Sequence, residues 1–454
     1  MTAGKAAAFG VRRLGRGGGT ALPGLVAEKL DPRIVEHLGR QLGRGRALVT
    51  GTNGKTTTSR MLAAIADAAG VPVLHNREGS NLMRGLASTL LAASRHSGRI
   101  PDAAGTLGLF EVDEATLPRA SAALAPSAVA FTNLFRDQLD RYGEVDTVFS
   151  FWVEALAAAP QESTLVLNAD DPSVAELATG WPGPVHWFGV DVSAFATGET
   201  GAFDARWCRG CGGTFVYGLR YFAHVGHWRC SGCGRARPDP DTAATAATLT
   251  LDGATLTVPG LGELSMALTG LYNVYNALAA IALARVLGLP AEAIVRGLAG
   301  TRPAFGRQER VTLDGRTLHL LLAKNPAGAN QVVRLLAQVA PPGASLKVVA
   351  LLNDRFADGQ DVSWIWDVDY ELLAGRVATA WAGGDRAEDI ALRLKYAGWP
   401  PAGMHDSPAA LLDAVLAGTQ PGDDVFVIPT YTALLDLRAE LARRGAAGQF
   451  WVRE

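Results

Sequence analysis

The stretch that decides the fold is TGTNGKTTT, at residues 50–58. An apolar run at 47–49 precedes it, as a buried strand would, and apolar residues follow it with the spacing of an amphipathic helix. The glycines therefore lie at a strand-to-helix turn, where backbone N–H groups can surround phosphate oxygens. There Lys55 would neutralise phosphate charge and the Thr56 hydroxyl can ligate Mg²⁺. The pattern predicts a phosphate-binding loop.

The usual G-x-x-x-x-G-K-[ST] motif would place its first glycine at position 49, which is Val49 in this chain. The match is therefore to the variant GTNGKTT at residues 51–57. A glycine-rich turn followed by a chance Lys-Thr pair is the alternative. The flanking strand and helix favour phosphate binding.

Size and composition are those of a globular protein. The chain has 454 residues, enough for about three domains, with 48% hydrophobic and 19% charged residues. A net charge of −2 argues against a nucleic-acid binder that relies on bulk electrostatics. The sequence has no long apolar run of the kind that spans a membrane, and its basic start lacks the apolar core of a signal peptide. We therefore expect a cytoplasmic protein. Its basic start would allow a peripheral contact with the inner face of the membrane.

From about residue 46 to 205, short apolar runs that favour strands alternate with runs that favour helices. This alternation predicts an α/β fold whose sheet is mostly parallel and covered by helices. In such sheets ligands bind at the carboxyl ends of the strands, so polar residues just past each run are site candidates. The predicted strands are Ala47–Val49, Val71–Leu74, Leu107–Val112, Ala128–Thr132, Leu165–Leu167 and Val185–Phe188.

Acidic and polar residues follow three of these strands. Glu111 closes an apolar run, as a carboxylate that holds Mg²⁺ in a nucleotide site often does, and we predict it to be a Mg²⁺ ligand. Glu114, in contrast, is expected in a solvated acidic loop. The further candidates are Thr132, Asn133, Asp137, Asn168, Asp170 and Asp171.

The four cysteines of the chain form two C-x-x-C pairs, Cys208 with Cys211 and Cys230 with Cys233. This spacing lets two turns donate four thiolates to one Zn²⁺ ion. Disulfides are the alternative, but a chain with no export signal is not expected to form them. Because the ligand set is complete, we predict a structural zinc ribbon and no catalytic zinc. The nearby His224 and His227 are expected to be packing or surface residues.

A long helix rich in Ala and Leu is predicted from about 271 to 287, where Gly288 ends it. Asn273 and Asn276 lie three residues apart on its first turn, so they share a face and could reach a base or a ribose. An asparagine at a helix start is often only a cap, which is the alternative interpretation.

The segment from about 310 to the end repeats the alternation of strand and helix, which predicts a second α/β domain. Its notable stretch is NDRFADGQDVSWIWD at 353–367, where several acids surround two tryptophans. This composition is typical of an interface or of a site completed by another chain. A polar loop held by two core tryptophans is the alternative interpretation of this stretch. The sequence leaves both the interface and the loop interpretation open.

Taken together, five motifs resemble those of the Mur ligase family. They are GTNGKTT at 51–57, EVDE at 111–114, TNLFRDQLD at 132–140, NADD at 168–171 and GLYNVYN at 270–276, in the family's order and spacing. Three further features narrow the resemblance to amide-forming members: the cysteine insertion, KNPAG at 324–328 in place of the usual acidic residue and His before Asn-Pro, and DGQDVSWIWD at 358–367. The resemblance runs from about residue 46 almost to the end.

The resemblance implies an α/β Mur ligase fold with a central P-loop ATPase domain, a four-cysteine zinc-ribbon insertion and a Rossmann-like C-terminal α/β domain. It implies ATP, Mg²⁺ and a structural Zn²⁺ as cofactors. Mg²⁺ would lie near Thr56 and Glu111, and Lys55 and Glu111 would take part in catalysis. The implied ATP-binding residues are Thr52, Asn53, Gly54, Lys55, Thr56, Thr57, Asn273 and Arg307.

The activity that the resemblance implies is ATP-dependent amidation of the D-glutamate α-carboxyl in the lipid II stem peptide, through an acyl phosphate. A GatD-like glutamine amidotransferase would supply the ammonia, since every cysteine of this chain is assigned to zinc. The family also places one acid of the C-terminal segment against the partner's catalytic His. By position in the motif that acid is Asp361, and Asp358 and Asp367 are its rivals.

We expect three parts: an N-terminal lead-in at 1–45, a central ATP-binding domain at 46–309 with the zinc ribbon at about 206–240, and a partner-binding C-terminal domain at 310–454. Two other functions fit parts of the pattern. One is a ligase that adds an amino acid, as Mur or folylpolyglutamate ligases do. The other is a non-catalytic zinc-ribbon scaffold whose nucleotide site is regulatory.

Overall fold

The computed structural model describes residues 22–76, 80–137, 145–197, 204–302, 307–340 and 343–447. The basic start of the chain lies outside these ranges. None of the described helices is both long and apolar enough to cross a membrane.

A seven-stranded parallel sheet forms the centre of the molecule, with strand order β2-β3-β1-β4-β5-β6-β9. It confirms the predicted parallel sheet, because each of the six predicted runs overlaps one strand. Its strands are β1 Arg46–Thr50, β2 Val73–His75, β3 Leu107–Glu111, β4 Ala128–Phe131, β5 Thr164–Asn168, β6 Val185–Val190 and β9 Thr242–Ala244.

Helices cover both faces of this sheet, since its strands are apolar on both sides. Helices α3, α8 and α9 pack on one face and α1, α2, α4, α5 and α6 on the other, around two separate apolar cores. The helices are α1 Leu22–Leu30, α2 Ile34–Gly39, α3 Lys55–Ala68, α4 Met83–Ala93, α5 Leu117–Leu124, α6 Val145–Ala158, α7 Pro172–Glu176, α8 Leu271–Val286 and α9 Ala291–Ala299.

Two small antiparallel units lie between β6 and α8. The cysteine segment forms a hairpin of β7 Phe215–Phe222 and β8 Val225–Cys230. A three-stranded sheet follows, made of β10 Ala246–Leu249, β11 Ala254–Val258 and β12 Gly262–Met266. The β-like runs at 248–251 and 254–258 of the sequence predict β10 and β11.

The C-terminal segment forms a second sheet of six strands, in the order β13-β14-β18-β15-β16-β17. Only β13 is antiparallel to its neighbour, so the predicted second α/β domain is confirmed. Its elements are β13 Arg307–Leu313, β14 Arg316–Leu321, α10 Pro326–Val339, β15 Leu346–Leu351, β16 Val377–Gly383, α11 Ala387–Tyr396, β17 Gly403–His405, α12 Pro408–Ala417, β18 Asp424–Pro429 and α13 Tyr431–Arg443.

Strand register brings the predicted polar residues to one edge of the central sheet. Val49 pairs with Glu111, and Thr50 with Phe131, so β1, β3 and β4 end at the same level. The loops that follow these strands, and the loop after β5, therefore meet at one place.

Candidate active site

The glycine-rich loop joins β1 to α3, as the sequence predicts. Gly51 has a φ of 129° and Gly54 a φ of 91°, a region that residues with a side chain rarely adopt. A Cβ at Gly54 would also collide with the Asn276 side chain. Because α3 begins at Lys55, its N-terminal N–H groups face the loop and suit an anion.

Lys55 is buried and held by three acceptors. Its Nζ donates to the carbonyl oxygens of Gly51 at 2.5 Å and Thr52 at 3.3 Å, and to Glu114 Oε1 at 2.7 Å. Burial alone would lower the pKa of Lys55, but the carboxylates of Glu114, Glu111 and Asp113 together outweigh it and raise that pKa. The lysine is therefore charged at neutral pH.

The expectation that Glu114 lies in a solvated loop is wrong. Its side chain is buried beside Lys55, and burial raises its pKa although the lysine opposes the rise. The sequence EVDEA is typical of a polar loop. Glu114 is buried because this loop packs against the phosphate loop.

Glu111 and Thr56 are both buried and both line the cleft. The end of β3 is fixed by Asn76, whose side chain accepts from the Glu111 N–H and donates to the Glu111 carbonyl, each at 2.8 Å. A carboxylate and a hydroxyl are hard oxygen ligands, and this donor set fits Mg²⁺.

The loop after β4 is tied to the phosphate loop. Asn133 Oδ1 accepts from Asn53 N at 2.9 Å, and Asn133 Nδ2 donates to Asn53 O at 3.0 Å. Thr52 Oγ1 similarly accepts from Phe135 N at 2.9 Å and donates to Phe135 O at 3.1 Å. These four bonds hold the phosphate loop in one shape before any ligand arrives.

Helix α8 approaches the same loop with its first turn. Asn276 Nδ2 donates to Asn273 Oδ1 at 3.0 Å, and Asn273 Nδ2 donates to Thr269 O at 2.8 Å. Both asparagines line the cleft, as do Tyr272 and Gln308, which the sequence does not single out. The Arg307 side chain, predicted close to the nucleotide, lies outside the described residues.

The C-terminal domain closes the cleft from the other side. Lys324 Nζ lies 2.5 Å from Asp137 Oδ2, and Asn325 Nδ2 donates to Asn53 Oδ1 at 3.1 Å. The resulting cleft of about 320 Å³ brings together eight of the predicted residues: Thr52, Asn53, Gly54, Lys55, Thr56, Thr57, Glu111 and Asn273.

Asp361 is not among the residues that line this cleft. It is exposed, and hydrogen bonds from the Ser363 side chain and from Ser363 N, the latter at 2.8 Å, lower its pKa. The two rival acids are engaged elsewhere. Asp358 is buried and accepts from the N–H of Thr432, while Asp367 pairs with Arg136 at 3.2 Å.

Two large aromatic side chains within five residues of Asp361 in the sequence, and a third at the end of α11, are exposed. Phe356 is 82% exposed, Tyr396 70% and Trp366 50%, and the last two rings contact each other at 5.6 Å. The interpretation of a loop held by two core tryptophans is therefore wrong for Trp366. Exposed aromatics in a segment that also carries an exposed acid are typical of a protein interface.

The four cysteine sulfurs lie within 4.8 Å of one another. Cys208 and Cys233 are 3.9 Å apart, and Cys211 and Cys230 are 3.4 Å apart. A tetrahedral site with Zn–S bonds of about 2.3 Å needs sulfurs about 3.8 Å apart, so the cluster fits Zn²⁺. These distances are too long for disulfides, and none of the four cysteines is in one. His224 is fully buried and is not part of the cluster.

The hairpin of the cysteine segment docks onto the central sheet. Tyr221 donates its hydroxyl to Val190 O at 2.7 Å, and Trp228 Nε1 donates to Ala169 O at 2.9 Å. Phe222 reaches the cleft itself, where its ring lies 6.1 Å from that of Phe135. The insertion therefore contributes one wall of the site.

Two family profiles match the chain. The Mur ligase middle domain matches residues 49–203, and the MurT ligase C-terminal domain matches residues 322–434. The lipid II isoglutaminyl synthase (glutamine-hydrolyzing) subunit MurT of Streptococcus pneumoniae is 36% identical, covering 98% of this chain and 96% of that protein. The protein of the same name from Staphylococcus aureus is 32% identical, covering 95% and 94%.

Solved structures share the fold at lower identity. A pseudomurein peptide ligase type C from Methanothermus fervidus is 20% identical, with a TM-score of 0.65 over 89% of this chain and 79% of that one. MurF from Acinetobacter baumannii is 18% identical, with a TM-score of 0.65 over 91% and 81%. The Mur ligase fold predicted from the motifs is confirmed.

Proposed function

This chain belongs to the MurT family, and from that premise we propose that it is the synthetase subunit of a lipid II isoglutaminyl synthase. It is an ATP-dependent ligase that amidates lipid II. The carboxyl group amidated is the α-carboxyl of D-glutamate in the stem peptide. The observation that supports this most directly is the cleft in which Lys55, Glu111 and Asn273 meet beside the matched C-terminal domain.

The chemistry follows from the residues of the cleft. A carboxylate oxygen attacks the γ-phosphorus of ATP and ADP leaves, which converts a poor acyl donor into an acyl phosphate. Ammonia then attacks the carbonyl carbon, inorganic phosphate leaves, and the nitrogen loses a proton to give the amide. Lys55 and the N–H groups of the loop hold the phosphates in this scheme, with Thr52, Asn53, Gly54, Thr56 and Thr57. Thr56 and Glu111 would hold Mg²⁺, which when bound offsets phosphate charge.

The ammonia comes from a partner. The four cysteines form one zinc-type cluster, which leaves no thiol as a glutaminase nucleophile. We propose a GatD-like glutamine amidotransferase that docks on the segment that carries Asp361 and the exposed Phe356 and Trp366. Because the acceptor is a lipid, the complex works at the inner face of the membrane.

The domain division proposed for this activity remains the one read from the sequence: a lead-in at 1–45, the ATP-binding domain at 46–309 and the partner-binding domain at 310–454. The four-cysteine cluster holds a structural Zn²⁺ ion in this scheme, through Cys208, Cys211, Cys230 and Cys233.

ADP release from Mg²⁺-ATP tests the function, measured with lipid II and with or without ammonium. The expected product is lipid II with one carboxyl replaced by an amide, identified by mass spectrometry. Turnover that requires an amino acid in place of ammonia would support the amino-acid-adding alternative. Absence of turnover with ammonium, lipid II and partner together would support the scaffold and reject amidation.

Asp361→Asn is expected to abolish glutamine-dependent amidation and to leave ammonium-dependent amidation unchanged. An acid that orients a catalytic His contributes up to about 10⁴-fold to turnover, whereas Asp361 lies away from the ATP cleft. The measurement compares amide formation from glutamine plus partner with amide formation from ammonium alone.

Asp367→Asn and Asp358→Asn are the matched controls. If the loss of the glutamine-dependent rate follows one of them while Asp361→Asn behaves as wild type, the role belongs to that rival acid. A loss of partner binding in Asp361→Asn would instead indicate a docking residue.

A further inference from the structure

The wall that the C-terminal domain adds to the cleft has no role in the scheme above. It consists of Lys324, the first turn of α10 and Gln331, and it faces Asp137 of the central domain. Lys324 is the second lysine of the cleft beside Lys55. Since Lys55 belongs to the phosphate loop, the second cation points to a different anion.

Two polar atoms at this wall have no hydrogen-bond partner among the residues that the structure describes. They are Gln331 Nε2, a donor, and Asp137 Oδ1, an acceptor. Gln331 is only 9% exposed, so water does not readily satisfy its amide. Buried polar groups are nearly always paired in folded proteins, and an unpaired donor and acceptor that both line a cleft indicate a missing ligand.

The electrostatics of the wall favour a small anion. Helix α10 has 14 residues, its Asn325 side chain accepts from Gly328 N at 2.7 Å, and Ala327 and Gly328 line the cleft. Its positive end therefore faces the ligand, with Lys324 directly before it. Asp137 lies 2.5 Å from Lys324 and balances its charge, so the remaining positive potential is the partial charge of the helix end, which suits a single carboxylate and not a triphosphate.

We propose that Lys324, Gln331 and Asp137 form the subsite for the acceptor, a peptide that carries a carboxylate. This inference rests on the proposed function. Lys324 binds a carboxylate of the peptide, Gln331 Nε2 donates to a peptide carbonyl, and Asp137 Oδ1 accepts a peptide N–H. A peptide offers all three groups within a few bonds, whereas a nucleotide phosphate offers no donor to Asp137.

The subsite also has the correct place for the reaction. It shares one cleft with Lys55, so a carboxylate bound there can reach the phosphoryl group. Its residues come from two domains, because Asp137 follows β4 and Lys324 follows β14. Acceptor binding would therefore hold the two domains together during the reaction.

Lys324→Met is expected to raise the KM for lipid II by about 10- to 100-fold, because it removes a hydrogen bond to a charged group. The Kd for ATP is expected to change by less than about twofold. Lys324→Arg keeps the charge and is expected to recover part of the affinity. Steady-state kinetics with ammonium as the nitrogen donor give the KM, and calorimetry gives the Kd for ATP and for the soluble stem peptide.

Gln331→Leu separates a ligand donor from a structural residue. It removes an unpaired buried amide, so we expect an unchanged or higher Tm together with a KM for lipid II raised about three- to tenfold. A structural role predicts a lower Tm instead.

Lys347→Met is the matched control, since Lys347 makes a similar ion pair with Asp423 at 2.8 Å in the same domain but does not line the cleft.

A weaker ATP affinity with an unchanged KM for lipid II in Lys324→Met would assign the wall to the nucleotide and overturn the inference. If wild type amidates lipid II and the variants match it, the subsite is wrong and the proposed function stands. If wild type does not amidate, the proposed function fails, and stem-peptide calorimetry still decides the subsite.

Discussion

Lys55→Met is expected to lower ATP turnover by at least about 10²- to 10³-fold, the loss seen when one preorganised donor to a transition state is removed. Lys55 lies at the start of α3, in the loop whose glycines and N–H groups fit phosphate. The other lysine that lines the cleft, Lys324, lies on the C-terminal wall assigned above to the acceptor and not in the phosphate loop. ADP release with lipid II and ammonium measures the effect.

The same substitution is expected to destabilise the fold. It leaves Glu114 buried without its cation, and breaking a buried ion pair costs about 3–5 kcal/mol. Burial raises the pKa of Glu114 above its value in the unfolded chain, so the folded protein prefers the protonated acid. Stability of the variant should therefore fall as pH rises from the unfolded pKa through the folded one. Thermal unfolding at several pH values tests the sign.

The double variant Lys55→Met with Glu114→Gln separates the two effects. A neutral amide has no charge to bury, so we expect the Tm to recover most of the loss and its pH dependence to weaken. Turnover should stay at the level of the single variant, because nothing replaces the ammonium group at the phosphates. If turnover recovers with the Tm, Lys55 serves the fold and does not act on the nucleotide.

The sequence predicts those parts of the site that are encoded by local spacing. The phosphate loop needs glycines at fixed positions between a strand and a helix, and the four-cysteine cluster needs two C-x-x-C turns, so both patterns are visible in short windows. Glu111 is predictable in the same way, because it ends an apolar run that the sheet buries.

The residues that the sequence does not assign depend on contacts between distant segments. The local sequence around Glu114 is typical of a solvated loop. Glu114 is buried because it pairs with Lys55 of the phosphate loop, 59 residues away in the sequence. Gln331 lies on the buried side of an ordinary amphipathic helix, where a glutamine has no signal of its own. Lys324 stands in a motif that the resemblance marks as unusual, but its partner Asp137 is 187 residues away.

The four-cysteine segment shows that one local pattern can have contacts far beyond it. Spacing alone predicts the metal cluster. It does not predict that Phe222 from the attached hairpin lines the cleft, or that the His224 and Phe135 rings lie in contact with their centroids 4.6 Å apart. Both depend on the hairpin docking against the loops after β4 and β5, which makes the insertion a part of the active site.

Loss of the proposed zinc ion is therefore expected to weaken both the fold and nucleotide binding. Structural zinc contributes on the order of 10 kcal/mol to small domains of this kind, so Cys230→Ser should unfold the hairpin. The bonds from Tyr221 and Trp228 to the central sheet would then be lost, and Phe222 would leave the cleft. We expect no bound zinc, a lower Tm, a red shift of Trp fluorescence from the exposed Trp228, and an ATP affinity reduced about tenfold or more.

A control variant in the same cysteine segment tests whether ATP affinity depends on the docking of the hairpin against the central domain. Trp207 is 58% exposed, so Trp207→Ala should keep zinc, Tm and ATP affinity near wild type. Phe222→Ala should keep zinc, as measured by metal analysis, and still lose ATP affinity, because only the wall of the cleft is removed. If Cys230→Ser loses zinc while ATP affinity stays unchanged, the ribbon is an independent module, and the wall that Phe222 forms has no part in binding.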